Sequence, residues 1–150
     1  MLNEELLNVW LRLTNIIDNQ RLAAARAEPE ALPFNEAMVC GLLAQAQDQG
    51  RPATASSLCR QTRILKSQMN AILGSLESRG MIARQRSQGD RRQIEIHLLP
   101  PGRARYESTH RRALGMTGRL IDALGEDRVR VLLPLLRQAA DIFETIQQEE

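Results

Sequence analysis

Aromatic side chains are scarce in this 150-residue chain: two phenylalanines, one tyrosine and one tryptophan make up 3% of it. Any core must therefore be built mostly from Leu, Ile, Val, Met and Ala. Lysine is almost missing, with Lys66 alone against 19 arginines, and no function is read from that bias. There are only two cysteines, Cys40 and Cys59. Each sits in a helical apolar pattern, which excludes a disulfide scaffold and fits a reducing, cytoplasmic setting. No run of about 18 apolar residues exists, so no transmembrane helix is expected. The start, MLNEELLNVW, is acidic and amphipathic and lacks the basic stretch and apolar block of a secretion signal. Glycine-rich phosphate loops, nucleophile elbows and metal motifs are absent too, so neither an enzyme nor a cofactor site is expected. His97 and His110 stand alone and read as surface residues rather than metal ligands.

What is present is an ordinary globular composition, 43% hydrophobic and 25% charged, in a length that suits one domain. The net charge of +2 conceals an uneven distribution. Residues 1–59 carry a net −3 and residues 113–150 another −3, whereas residues 60–112 hold twelve basic against four acidic side chains. A basic segment between acidic flanks points to one surface for a polyanion, the alternative on charge alone being a solvated arginine-rich face.

Periodicity divides the chain into helices, a hairpin and more helices. Leu2, Leu6, Trp10, Leu13 and Ile17 recur at helical spacing and predict a helix over about 3–22. Pro29 and Pro33 break the chain, and Asn35 is a suitable N-cap for a second helix ending near Gly50. Thr54 can cap a short helix, ASSLCRQ. A tight connection around 61–65 leads to a further helix over about 67–79, which stops at Gly80. On that helix Met69, Ile72, Leu73 and Leu76 share one face. The opposite face carries Ser67, Ala71, Gly74 and Ser78, flanked by Gln68 and Asn70. Small residues allow close approach to a groove, Gln and Asn can pair with adenine, and a helix N-terminus beside Lys66 favours phosphate.

The stretch QGDRRQIEIHL then alternates strictly, so Ile94, Ile96 and Leu98 should face one side of a strand and Gln93, Glu95 and His97 the other. Residues 81–86 supply the partner strand and 87–91 the loop. Two helices followed by such a hairpin make a winged helix-turn-helix. Arg91 and Arg92 at its tip are placed to enter a minor groove, with Asp90 as a strut that holds a neighbouring arginine.

These residues closely resemble the winged-helix core of the MarR (multiple-antibiotic-resistance regulator) family. The resemblance rests on Leu76, Glu77, Gly80, Ile82 and Arg84, on the wing Asp90-Arg91-Arg92, and on Leu98 followed by Gly102. It covers about residues 32–105. Leu99 departs from the family's usual capping threonine, and Pro100 and Pro101 are expected to start the next helix instead. The resemblance implies a homodimeric regulator in which the first and last helices form the dimer interface and Arg92 reaches the minor groove. Redox-sensing relatives carry their reactive cysteine in the first helix, and this chain has none there.

The expected fold is thus mainly α with a small β-hairpin wing, as a single domain over 1–150. Residues 33–98 form the DNA-binding lobe, and 1–32 with 99–150 the helical dimerisation lobe. The C-terminal third supports self-association independently, through a long apolar stripe that includes Leu132, Leu136 and Phe143, the alternative being a closed monomeric helical bundle. Pro134 falls inside this last helix and is expected to kink it. The expected DNA-binding residues are Lys66, Ser67, Gln68, Asn70, Ala71, Arg84, Arg91 and Arg92. Leu6, Trp10, Leu132, Leu136 and Phe143 are assigned to the dimer. A ligand cleft is assigned to Trp10, Leu13, Met38, Leu42 and Tyr106. The expected partners are a near-palindromic DNA duplex, a second copy of the chain, and a small aromatic or phenolic effector that releases a repressor from DNA. The other reading is a protein-interaction module that uses a winged helix without specific DNA readout.

Overall fold

Prolines and glycines set the helix boundaries, as their backbone chemistry requires. A computed structural model describes residues 1–149, with side chains through Ile146. Its elements run α1 (Leu2–Ala27), α2 (Phe34–Asp48), α3 (Ala55–Thr62), α4 (Lys66–Ser78), β1 (Ile82–Arg86), β2 (Ile94–Leu98), α5 (Pro100–Leu124) and α6 (Glu126–Glu149). Gly50, Gly80 and Gly125 follow α2, α4 and α5 with φ of 63°, 68° and 87°, the left-handed conformation that terminates helices at little cost for glycine alone. α1 outlasts its predicted end because Ala23, Ala24 and Ala25 are strong helix formers. α2 starts two residues before the expected Asn35 cap would allow. Pro33 occupies the capping position with φ −53° and its carbonyl accepts from the Ala37 N–H at 2.8 Å, so Asn35 lies within the first turn. Thr54 does cap α3, in a reciprocal pair with Ser57 (3.1 and 2.9 Å). Pro100 opens α5 as expected, and Pro134 lies within the span of α6.

Residues 1–110 form one compact unit and a second begins at Arg111, the division falling inside α5. Glu150, part of the expected dimerisation lobe, lies outside the described residues. The first unit has one aliphatic core. Val39, Cys40 and Leu43 from α2, Leu58 from α3, Met69, Leu73 and Leu76 from α4, and Ile82, Ile96 and Leu98 from the hairpin form a single cluster.

The hairpin is antiparallel, with Ile82 opposite Leu98, Arg84 opposite Ile96 and Arg86 opposite Ile94. Ile96 and Leu98 are buried, but Ile94 is 52% exposed. The alternation was legible, yet the strand runs past the body of the protein before it turns, so its first residue has no core to face. The outer edge of β2 is closed by other elements. The Ile96 N–H donates to the Ala53 carbonyl (2.8 Å) and the Leu98 N–H to Gln47 Oε1 on α2 (2.9 Å). These bonds fix the wing to the body and leave less of its edge unpaired.

α5 then approaches the start of β1 closely. The Leu99 N–H donates to the Met81 carbonyl at 2.9 Å. Gly102 is buried there, and a Cβ on it would lie 2.3 Å from that same oxygen. Only glycine fits. The Leu98-to-Gly102 step is thus the joint between wing and α5.

Candidate nucleic-acid interface

The helix-turn-helix consists of α3, a three-residue turn and α4. Arg63 turns the chain in the left-handed conformation (φ 57°), and its N–H closes on the Cys59 carbonyl at 2.8 Å. Leu65 precedes α4 in extended conformation without a side-chain cap, so no side chain satisfies the first N–H groups of α4. That end carries partial positive charge and can accept an anion.

The two faces of α4 divide as the spacing requires. Met69, Ile72, Leu73 and Leu76 are buried, while Lys66, Ser67, Gln68, Asn70, Ala71, Gly74 and Ser78 are exposed. A Cβ on Gly74 would meet nothing within 4 Å. The exposed face is small and neutral, with its single cation at the N-terminus.

A buried carboxylate holds this helix in place. Glu36 on α2 lies in the core, only 8% exposed. Its Oε1 accepts from Ser75 Oγ (3.0 Å), its Oε2 pairs with the Arg79 guanidinium, and Arg79 also donates from Nε to the Ser75 carbonyl (3.2 Å). The sequence reading missed this cluster. Its signal was a charged residue at position 36, in step with the apolar stripe of Val39, Cys40 and Leu43. Cys40 is fully buried. Burial, and then the Glu36 charge, push its thiol up to about 11 against the opposing effect of Arg79. Cys59 is half-buried, and both thiols are free.

Ion pairs sort the arginines of the basic segment. Arg79 is held by Glu36, Arg84 Nε lies 3.1 Å from Glu77 Oε2, and Arg103 is 2.9 Å from Asp48. Arg105 pairs with Glu30, whose carboxyl its hydrogen bond and charge hold below the usual carboxylate range. Four of the twelve basic residues thus tie the body together. Arg84, expected on DNA, is among them: it is half-buried against α4. Arg86, Arg91 and Arg92 at the wing are exposed and take part in none of the ion pairs found among the described residues.

The wing tip is ordered by its own hydrogen bonds. The Ser87 N–H donates to the Gln93 carbonyl and the Gln93 N–H to the Asp90 carbonyl, both at 2.9 Å. Asp90 Oδ1 accepts from the Arg92 backbone N–H at 3.0 Å. Asp90 therefore braces the turn through the arginine's main chain.

The other expected sites are placed less tightly. Leu42 and Tyr106 pack on the core, and Tyr106 covers Gly41, where a Cβ would lie 3.0 Å from its ring. Met38 is half-buried on α2, whereas Trp10 and Leu13 on α1 are exposed. Leu42 also lines a groove of about 300 Å³ with Gln45, Arg51, Leu58 and Arg60. The residues assigned to a dimer, Leu6 and Trp10 on α1 and Leu132, Leu136 and Phe143 on α6, are all exposed in the single chain. α1 has no buried residue at all. Among the described residues no group of three His, Cys, Asp or Glu side chains could hold a metal ion, and no helix is long and apolar enough to cross a membrane.

Comparison with known proteins bears on this geometry. The family model for the MarR family matches residues 32–93, which run from the start of α2's approach to the wing tip. The winged-helix core of this chain is similar to that of the MarR family. Solved structures extend the similarity beyond it. The Streptococcus pneumoniae FabT structure, in complex with DNA, is 22% identical, with a TM-score of 0.77, covering 93% of this chain and 97% of that one. The transcriptional repressor CouR, bound to a 23-mer DNA duplex, is 28% identical, with a TM-score of 0.72, covering 91% and 94%. Bordetella bronchiseptica BpsR, whose DNA binding is regulated by 6-hydroxynicotinic acid, is 23% identical, with a TM-score of 0.66, covering 87% and 91%. No curated protein matches the chain. Through the MarR-family model and the repressor CouR, this chain is similar to transcription regulators.

Proposed function

We propose that this MarR-family chain is a sequence-specific duplex-DNA-binding regulator, acting in the cytoplasm as a homodimeric repressor that a small molecule releases. One observation carries the DNA reading. α4 offers a small, neutral face with an uncapped N-terminus, and beside it the wing displays Arg86, Arg91 and Arg92, which take part in none of the ion pairs among the described residues, while other arginines of the segment are tied inward. In this reading Ser67, Gln68, Asn70 and Ala71 read base edges, Lys66 meets phosphate, and the wing brings Arg91 and Arg92 to the minor groove, which Arg92 enters. Arg84 contributes by holding the wing to α4. DNA in the FabT and CouR structures supports the assignment.

The dimer reading rests on α1 and α6, each of which leaves Leu, Ile, Val and aromatic side chains exposed along its length. Apolar patches of that extent are rarely left open to water. Residues 33–98 are then the DNA-binding lobe, and 1–32 with 99–150 the dimerisation lobe. A two-fold dimer presents its recognition helices about 34 Å apart, one turn of duplex, so the operator should be a near-palindrome. An effector lowers DNA affinity only by favouring a dimer with misplaced half-sites. Its proposed place is a cleft that Trp10, Leu13, Met38, Leu42 and Tyr106 would line. BpsR's response to 6-hydroxynicotinic acid supports a small aromatic acid.

Fluorescence anisotropy tests the reading, using duplexes from upstream of the chain's own coding sequence and random duplexes of equal length. Tight binding to one upstream duplex, weakened by Gln68→Ala or Asn70→Ala on that duplex but not on random DNA, supports it. Equal affinity for all duplexes, or none, leaves the protein-interaction module as the better reading.

A further inference from the structure

The wing carries a feature that minor-groove entry does not use. Arg86, Ser87, Gln88 and Arg91 line an open hollow of about 460 Å³ at its tip. Arg86 is the last residue of β1 and lies on the same side of the strand as Ile82 and Arg84. Ile82 is buried and Arg84 reaches Glu77 on α4. That side of the wing is therefore the side of the recognition helix.

The hollow has the chemistry of an anion site. Two exposed arginines line it, each able to donate several hydrogen bonds, and neither takes part in the ion pairs found among the described residues. Ser87 Oγ accepts from the Gly89 N–H (3.3 Å), which orients the hydroxyl and leaves its proton to donate. Two acidic groups near the wing are engaged elsewhere: Asp90 with the Arg92 N–H, and Glu95 with His97 at 3.5 Å. Hydrogen bonds from Ser87 to Gln93 and from Gln93 to Asp90 hold the loop in shape without a ligand. Little ordering is then needed when an anion arrives.

We propose that the hollow lined by Arg86, Ser87 and Arg91 is a phosphate seat, which takes a backbone phosphate of duplex DNA flanking the groove that Arg92 enters. The proposal rests on the DNA reading and adds to it a contact that fixes the register of the wing. It also gives Arg91 and Arg92 different tasks. Arg91 joins Arg86 on a phosphate, and Arg92 goes into the groove. A phosphate contact carries no sequence information, so its loss should weaken operator and random DNA alike.

The test compares the full-length protein with Arg86→Gln, Arg86→Lys and Arg92→Ala, measuring affinity for operator and random duplexes between roughly 50 and 200 mM salt, where phosphate contacts show most clearly. The expected result is a loss of several-fold for Arg86→Gln on both duplexes, a log–log salt slope smaller by about 1, and recovery of that slope in Arg86→Lys. Thermal melts should be unchanged, because Arg86 is exposed and outside the core. If Arg92→Ala lowers the slope and Arg86→Gln leaves affinity and slope untouched, the seat is refuted while DNA binding stands. If the wild-type protein binds no duplex, the DNA reading fails, and amide NMR shifts on titration with inorganic phosphate decide the seat. Saturating shifts over residues 86–91, lost in Arg86→Gln, would assign the hollow to a free phosphorylated ligand. No shift would overturn it.

Discussion

Replacing Gly102 by alanine should loosen the joint between the wing and α5. The added Cβ would lie 2.3 Å from the Met81 carbonyl oxygen, 2.8 Å from Leu98 Cδ1 and 3.0 Å from the Met81 carbonyl carbon. Two of these atoms are backbone, so no side-chain rotation relieves the contact. α5 must move off the start of β1 by roughly 0.7 Å, the difference between 2.3 Å and the 3.0 Å that real Cβ atoms tolerate. Overpacking of this kind costs about 1–3 kcal/mol. Stretching the hydrogen bond from Leu99 to Met81, 2.9 Å long, removes up to about 1 kcal/mol more. Against this, alanine is the better helix former by at most about 1 kcal/mol. The net expectation is a loss of about 2 kcal/mol, and a melting temperature lower by about 4–8 °C for a chain of this size. Urea and thermal unfolding followed by circular dichroism, at equal protein concentration so that association does not differ, measure it directly. Gly74→Ala is the internal control. Its Cβ meets nothing within 4 Å, so the same substitution should there raise stability by up to about 1 kcal/mol. A Gly102→Ala protein that melts with or above the wild type would refute the close-approach argument.

Three further outcomes are expected. Glu36→Leu should cost about 1–3 kcal/mol, because Ser75 and Arg79 lose a buried acceptor, while Glu36→Gln keeps the Ser75 bond and should cost less; equal denaturation midpoints for both variants would contradict the assigned network. The Cys40 thiol, raised from its ordinary 9.0 to about 11, should resist thiol reagents in the native state, and stability should hold up to about pH 9 and fall between 9 and 11 as the unfolded chain deprotonates first. Cys40→Ala should flatten that fall, and labelling of native Cys40 as fast as of an exposed cysteine would rule the burial out. Arg92→Ala should weaken operator binding and lower its log–log salt slope by about 1, so unchanged binding across salt in a folded variant would remove Arg92 from the interface.

Much of this architecture could be read from the chain because the deciding signals are local. The two faces of α4 follow from the spacing of Met69, Ile72, Leu73 and Leu76. The turn after α4 follows from Gly80, and the cap of α3 from Thr54 and Ser57. Where the reading slipped, the cause was context that no window of sequence contains. Ile94 alternates correctly yet lies beyond the edge of the body. Asn35 is a good capping residue, but Pro33 starts α2 first. Gly102 could be placed in a motif from sequence, but its physical reason, the Met81 carbonyl, is 21 positions away in the chain and only visible once the helix is docked.

Charge shows the same limit most clearly. Twelve basic residues in one segment mark a surface for a polyanion, but composition treats them all alike. The fold does not. Glu36, Glu77, Asp48 and Glu30, from four different places in the chain, claim Arg79, Arg84, Arg103 and Arg105. Each pair pins a different element: α4 to α2, β1 to α4, α5 to α2, and α5 to the segment before α2. The acidic residues thus decide which arginines stay available, by holding the others in the body. Exposed at the wing are Arg86, Arg91 and Arg92, carried on a loop that its own hydrogen bonds already shape. A guanidinium in an internal pair would have to lose that partner before it could meet a phosphate, and one on an ordered loop would not. On that ground the interface we propose lies at the wing and the start of α4, although the basic segment runs far beyond both.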